Sequence, residues 1–262
     1  MTALEYIFLL LGGFAAGIIN TLAGNGSAIT LSLLIFMGLP ADVSNATNRI
    51  GALAQTITAV FSLKRTPRTK VLFADSYWFF IPSIIGSVVG ALIAVEIDPG
   101  LLKMIIGGIM LLLLITLITN PKKWNIATDV SKSRKTWLNA ILVFLVAVYG
   151  GFIQMGIGIM LLSILVLIAH YSLRDANIIK LVLSLIFVLP AFFVFLYSGD
   201  MQWMPGITLA IGQSVGAVIG ARYILFLPKA NLYVRWLLIV ILSVSSVILL
   251  RIPEGLMELF NQ

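Results

Sequence analysis

The sequence predicts an all-α, polytopic membrane protein made of two inverted repeats, each a broken-helix hairpin followed by three transmembrane helices. Three observations carry this prediction. Hydrophobic residues make up 60% of the 262-residue chain and charged residues only 10%, against about 25% charged in a soluble domain. The apolar residues fall into eight runs with short polar gaps, and a run of about 20 residues suffices to cross a bilayer. Two runs are too long for one crossing, and each is interrupted by a Gly-x-Gly at a matching place in its half.

The runs occupy 6–38, 46–63, 76–96, 101–119, 138–169, 177–197, 203–226 and 232–250. The longest polar gap holds Lys122, Lys123, Lys132, Arg134 and Lys135. It divides the chain into an N-terminal repeat (1–119), a basic linker (120–136) and a C-terminal repeat (137–262). Met1-Thr2-Ala3-Leu4-Glu5 is acidic where a signal peptide carries Lys or Arg, so the first run is expected to stay in the mature protein.

Runs 6–38 and 138–169 are broken by Gly24-Asn25-Gly26 and Gly156-Ile157-Gly158. Glycine there ends or bends a helix, and the short helices that follow are expected to begin at about Ser27 and Ile159. Lys and Arg mark cytoplasmic loops. By that rule the stretch 64–70, the linker, the turn at 170–176 and the turn near Lys229 face inside, and the loop at Asp200 faces outside. The second half then starts inside and is inside again near Arg174, so 138–169 crosses an even number of times, as a hairpin does.

Placing Gly24-x-Gly26 on Gly156-x-Gly158 brings Asn45 onto Asn177. With a two-residue gap, Gly86 and Gly90-Ala91 meet Gly216 and Gly220-Ala221. A hairpin plus three crossings is an odd total, so the halves enter the membrane from opposite sides. Such inverted repeats are characteristic of secondary transporters. About ten membrane segments are expected, with both termini outside the cytoplasm.

Composition also removes function classes. There is no cysteine and one histidine, His170. Disulfides, thiolate-held metals and histidine-rich metal sites are excluded, and no cofactor is expected. The net charge of +7 does not point to nucleic acid, because the basic residues sit between apolar runs. The expected partners are the lipid bilayer and a small anionic substrate; a homo-oligomer is left open.

Irregular backbone at membrane depth survives only inside protein or beside a wet cavity, so the two breaks mark the candidate substrate site. Helix starts offer unpaired N–H groups and a partial positive charge, which suits an anion. Gly26, Gly156 and Gly158 supply backbone there; Asn25, Ser27 and Gln154 add side-chain donors. The bland alternative is that the glycines only let helices pack closely. The next crossings carry Asn48 and Arg49 in one half and Asn177 and Lys180 in the other. One cation per half suits an anion path, whereas both also lie near helix ends, where they would snorkel to the interface. Gln55 and Gln213 either line the path or make interhelical hydrogen bonds. The glycine series 86/90 and 212/216/220 is expected to pack helices, and Trp78, Trp124, Trp137, Trp203 and Trp236 to anchor at the interface. The carboxylates sit at run ends. Proton coupling is therefore unsupported, and an inside-negative potential supplies about 2.3 kcal/mol per charge per 100 mV to an outgoing anion.

The stretch from Gly13 to Ser27, with Gly17, Asn20, Gly24 and Gly26, resembles the opening signature of the sulfite exporter TauE/SafE family, whose members include 4-toluene sulfonate uptake permease-like transporters. Gly38-Leu39-Pro40 through Asn48 is similar to its next block, and Gly156-Ile157-Gly158 with Gly216 to Arg222 fits its second half. The resemblance implies a multi-pass protein of the cell inner membrane, not an enzyme, exporting sulfite or organosulfonates. The chain departs from the pattern at Asn25, where the family usually has a third glycine, and at Leu31 and Ser32, where a proline is common. Competing readings are an importer or channel for another solute, an intramembrane serine enzyme using Ser27 and His170, and a membrane scaffold that transports nothing. No HExxH and no intramembrane aspartate pair accompanies the enzyme reading.

Overall fold

A computed structural model describes residues 2–22, 24–63, 66–119 and 136–222, together with 239, 240 and 243. The linker up to 135, Trp124, Trp236, Lys229 and nearly all of the run 232–250 lie outside the described residues. Every described element is helical: α1 (Ala3–Leu22), α2 (Ser27–Phe36), α3 (Ala41–Ser62), α4 (Pro67–Ser76), a 3₁₀ turn (Tyr77–Phe79), α5 (Phe80–Glu96), α6 (Pro99–Thr119), α7 (Trp137–Phe152), α8 (Ile157–Ser163) continued by a π-helical turn (Ile164–Ile168), α9 (Leu173–Ser198) and α10 (Trp203–Arg222).

Four stretches are long and apolar enough to cross a membrane: 3–22, 67–96, 173–198 and 203–222. Of the helices that flank the breaks, α2, α7 and α8 are shorter, whereas α1 departs from the expected pair of short helices by being long enough to cross on its own. The 22-residue α3 is too polar for that test, and its polar residues explain why it belongs inside. Ser44, Asn45, Thr47, Asn48, Arg49, Gln55 and Thr56 are all buried, while Phe61 is 72% exposed. A helix with its polar face inward and its apolar face outward suits lipid, not water.

One boundary departs from the sequence reading. Pro67–Lys70, expected in a basic loop, form the first turn of α4. Thr66 accepts from the Thr69 N–H at 3.1 Å, and the Thr69 hydroxyl accepts from the Thr66 N–H at 3.4 Å, a reciprocal cap with Pro at the first helical position. Threonine in place of the usual Glu or Gln hid this start. It places Arg68 2.5 Å from Asp175 at the head of α9.

The two halves exchange their first helices. α1 packs most extensively on α10, and α7 on α5. Both contacts are backbone to backbone. A Cβ on Gly17 would stand 2.2 Å from the Gln213 carbonyl oxygen, and one on Gly90 1.8 Å from that of Val148. Small residues are needed because helices in lipid associate by close packing, without a hydrophobic driving force. α3 then packs on α10, α5 on α9, and α3 on α9.

The contact registers fix directions. Gly13 meets Leu209 and Gly17 meets Gln213, so α1 and α10 run the same way. Thr47 bonds the Gln202 N–H and Ile50 touches Gly206, which aligns α3 with them. Gly86 meets Phe144 and Gly90 meets Val148, so α5 and α7 are parallel. Asp75 reaches Tyr171 near the start of α9, and Ala91 clusters with Ala191 and Phe195 further along, so α9 follows α5. Arg49 meets Phe195 while Ala59 clusters with Leu181, so α3 and α9 are antiparallel. α1, α3 and α10 therefore point one way, and α5, α7 and α9 the other.

Candidate functional site

The first break follows Leu22. Gly24 takes φ +76°, a left-handed conformation open to glycine, and α2 starts at Ser27 as the sequence predicts. The N-cap residue Gly26 has no side chain to cap with. Asn20, on the last turn of α1, substitutes: its Oδ1 accepts from the Gly26 N–H at 2.7 Å, and its Nδ2 donates to Gln55 Oε1 at 2.7 Å. At the second break α7 ends at Phe152, Ile153 is extended, and Gly156 takes φ +77° as the N-cap of α8. The helix begins at Ile157, two residues before the sequence expectation of Ile159, because Gly156 itself makes the left-handed turn. The Tyr149 hydroxyl donates to the Met155 carbonyl at 2.7 Å and holds this loop.

The two breaks touch. The Gly158 N–H donates to the Gly24 carbonyl at 3.3 Å, and a Cβ on Gly24 would lie 2.1 Å from Gly158 Cα.

Neither candidate cation snorkels. Arg49 is 0% and Lys180 1% exposed, and each binds the broken helix of the other half. Arg49 Nη1 donates to the Gly150 carbonyl at 2.8 Å. Its Nη2 donates to the carbonyls of Gly151 at 2.8 Å and Phe152 at 3.1 Å and to Asn45 Oδ1 at 3.3 Å. The guanidinium also lies 4.7 Å from the centre of the Phe195 ring. Lys180 Nζ donates to the carbonyls of Asn20 at 3.3 Å and Thr21 at 3.1 Å. Each cation thus caps the carbonyl end of the helix leading into a break, where acceptors lack intrahelical partners and the dipole is negative.

Beside this junction lies a small, partly open pocket. Four of the residues expected at the substrate site line it, Ser27, Gln154, Gly158 and Lys180, together with Gly24 of the first break. Gln55 also does, and its Oε1 accepts the interhelical hydrogen bond from Asn20. Arg49 and Asn48 are not part of the lining. Arg49 is spent on capping, and Asn48 Oδ1 accepts from the Thr30 hydroxyl at 2.6 Å. Gly26 and Gly156 shape the breaks without facing the cavity. Asn25 and Asn177 stand apart too, both buried with neither carboxamide atom hydrogen-bonded. Gln213 is buried against Gly17 and Gly51 and is not part of the lining.

The sequence reading missed Asn20, Thr56, Ser184 and Phe187 in the lining. A signal existed for two of them: Asn177, Lys180, Ser184 and Phe187 fall on one stripe of α9 at helical spacing. Among the described residues the lining contains one cation and no carboxylate, and no cluster of His, Asp or Glu that could hold a metal is found. Carboxamides, hydroxyls and a lysine amine around a partly apolar wall are a donor set for a small anion.

A family model described as "Sulfite exporter TauE/SafE" matches residues 9–249. Similar proteins include "Probable membrane transporter protein ORF9" of a Sinorhizobium species, 26% identical over 94% of this chain and 92% of its own. A "Probable membrane transporter protein" of Haemophilus influenzae is 26% identical over 81% and 82%. "Probable membrane transporter protein YfcA" of Escherichia coli is 25% identical over 92% and 87%.

Proposed function

The chain belongs to the sulfite exporter TauE/SafE family and is a multi-pass membrane transporter rather than an enzyme, and we propose that it exports sulfite or an organosulfonate across the cell inner membrane through the cavity where its two breaks meet. One observation carries this reading. Lys180 is a buried lysine on that cavity with no carboxylate beside it among the described lining residues. An uncompensated buried charge costs several kcal/mol, and an anion in the cavity offsets that cost. Ser27 and Gln154 supply the remaining donors. The opposite directions of α1 and α7 support the division into inverted repeats, 1–119 and 137–262, with the site at their interface. The membrane potential then drives the anion outward at about 2.3 kcal/mol per charge per 100 mV.

The test is flux from proteoliposomes loaded with radiolabelled sulfite. Efflux should rise with an inside-negative potential and fall about tenfold or more in Lys180→Met, the loss expected for one charge-assisted hydrogen bond. Absence of sulfite, sulfoacetate or taurine flux at either polarity contradicts the substrate class. Accumulation against an inside-negative potential would favour an importer.

A further inference from the structure

Asn20 holds one group behind the cavity wall and one on it that an entering anion would draw on. Its side-chain oxygen occupies the Gly26 N–H at 2.7 Å, and its main-chain oxygen is one of the two carbonyls on which Lys180 Nζ rests. It lines the cavity itself. Carbonyl and carboxamide oxygens are neutral acceptors, and an oxyanion is a stronger partner for the same donors. An ammonium has three donors; two are placed on long bonds of 3.1 and 3.3 Å.

We propose that Asn20 is a built-in competitor of the transported anion. Without anion, it satisfies the Gly26 amide and parks Lys180 on the end of α1. Anion entry displaces its carboxamide from Gly26 and draws Nζ off the α1 carbonyls. The proposal rests on the anion-site reading above and adds an exchange step to it. It also gives the two cations different jobs. Arg49 has four hydrogen bonds and an aromatic face and does not reach the cavity, so the second break stays fixed. Occupancy is therefore communicated through the first break alone, where losing the Lys180 cap and the Asn20–Gly26 bond frees α1 from α2.

A competitor and a simple scaffold differ in the sign of one effect. Removing a scaffold weakens anion binding; removing a competitor tightens it. Sulfite and sulfoacetate are titrated against the purified full chain, with binding read from the shift in unfolding temperature. Asn20→Ala should bind about fivefold tighter, the worth of one neutral hydrogen bond no longer displaced. Asn20→Asp, which fixes a carboxylate beside the same donors, should bind about tenfold weaker or worse while unfolding no earlier than wild type. Asn20→Ser serves in place of the alanine variant if that protein does not fold. Wild-type binding with unchanged or weaker affinity in the alanine or serine variant overturns the exchange step and leaves the anion site standing. No shift of wild type with either anion overturns both.

Discussion

Gly24→Ala is expected to abolish transport and to lower stability by about 3 kcal/mol or more. Two costs add. Alanine at φ +76° occupies the left-handed region at roughly 1–2 kcal/mol. Its Cβ, built 2.1 Å from Gly158 Cα, collides with backbone and not with a side chain that can turn aside, and overpacking of this kind costs about 1–3 kcal/mol. The collision is relieved only by separating the breaks, which breaks the Gly158–Gly24 hydrogen bond and opens the cavity. Unfolding temperature in detergent and sulfite flux measure the two effects. Gly108→Ala, where a Cβ meets nothing within 4 Å, is the matched control and should change neither.

The second large effect separates the two buried cations. Arg49→Met leaves the Gly150 and Gly151 carbonyls without their donors; Phe152 keeps the Asn45 Nδ2 bond at 2.8 Å. Unsatisfied buried acceptors cost about 1–3 kcal/mol each, partly offset by no longer burying a charge. A net loss of about 3 kcal/mol is expected, or roughly 6–12 °C in unfolding temperature for a protein of this size. Lys180→Met gives up only two longer bonds and should lose much less stability while losing transport. Arg49→Lys should recover part of the stability, since one ammonium cannot reach three carbonyls as a planar fork does. Equal stability losses in the two methionine variants would contradict the division of roles.

The breaks were legible because glycine acts locally. Ser27 begins α2 as predicted, and the only slip at the second break came from Gly156 making the turn itself. The pairing of Gly86, Gly90, Gly212 and Gly216 with opposing backbones was legible for the same reason: a small residue at helical spacing states its purpose in its own neighbourhood. The work of Arg49 and Lys180 was not. Their partners are 101 and 159 residues away at Gly150 and Thr21, and no spacing rule reports which carbonyls a fold will leave exposed. Snorkelling and lining a path were reasonable alternatives for a cation near a helix start, and capping a broken helix in the other half was a third that sequence does not display. Asn20 was hidden similarly. It sits in an apolar helix end, and its importance comes from Gly26 lacking a side chain to cap with.

A transported anion is expected to pass through the cavity between the breaks. Because the chain has no cysteine, Ser184→Cys places a single thiol on the cavity wall. The rate of its alkylation by a small uncharged haloacetamide is measured with and without sulfoacetate, alongside sulfite flux after alkylation. Sulfoacetate should slow alkylation several-fold, and the alkylated protein should no longer carry sulfite. Alkylation at an unchanged rate, followed by undiminished flux, would place the path elsewhere and contradict that expectation.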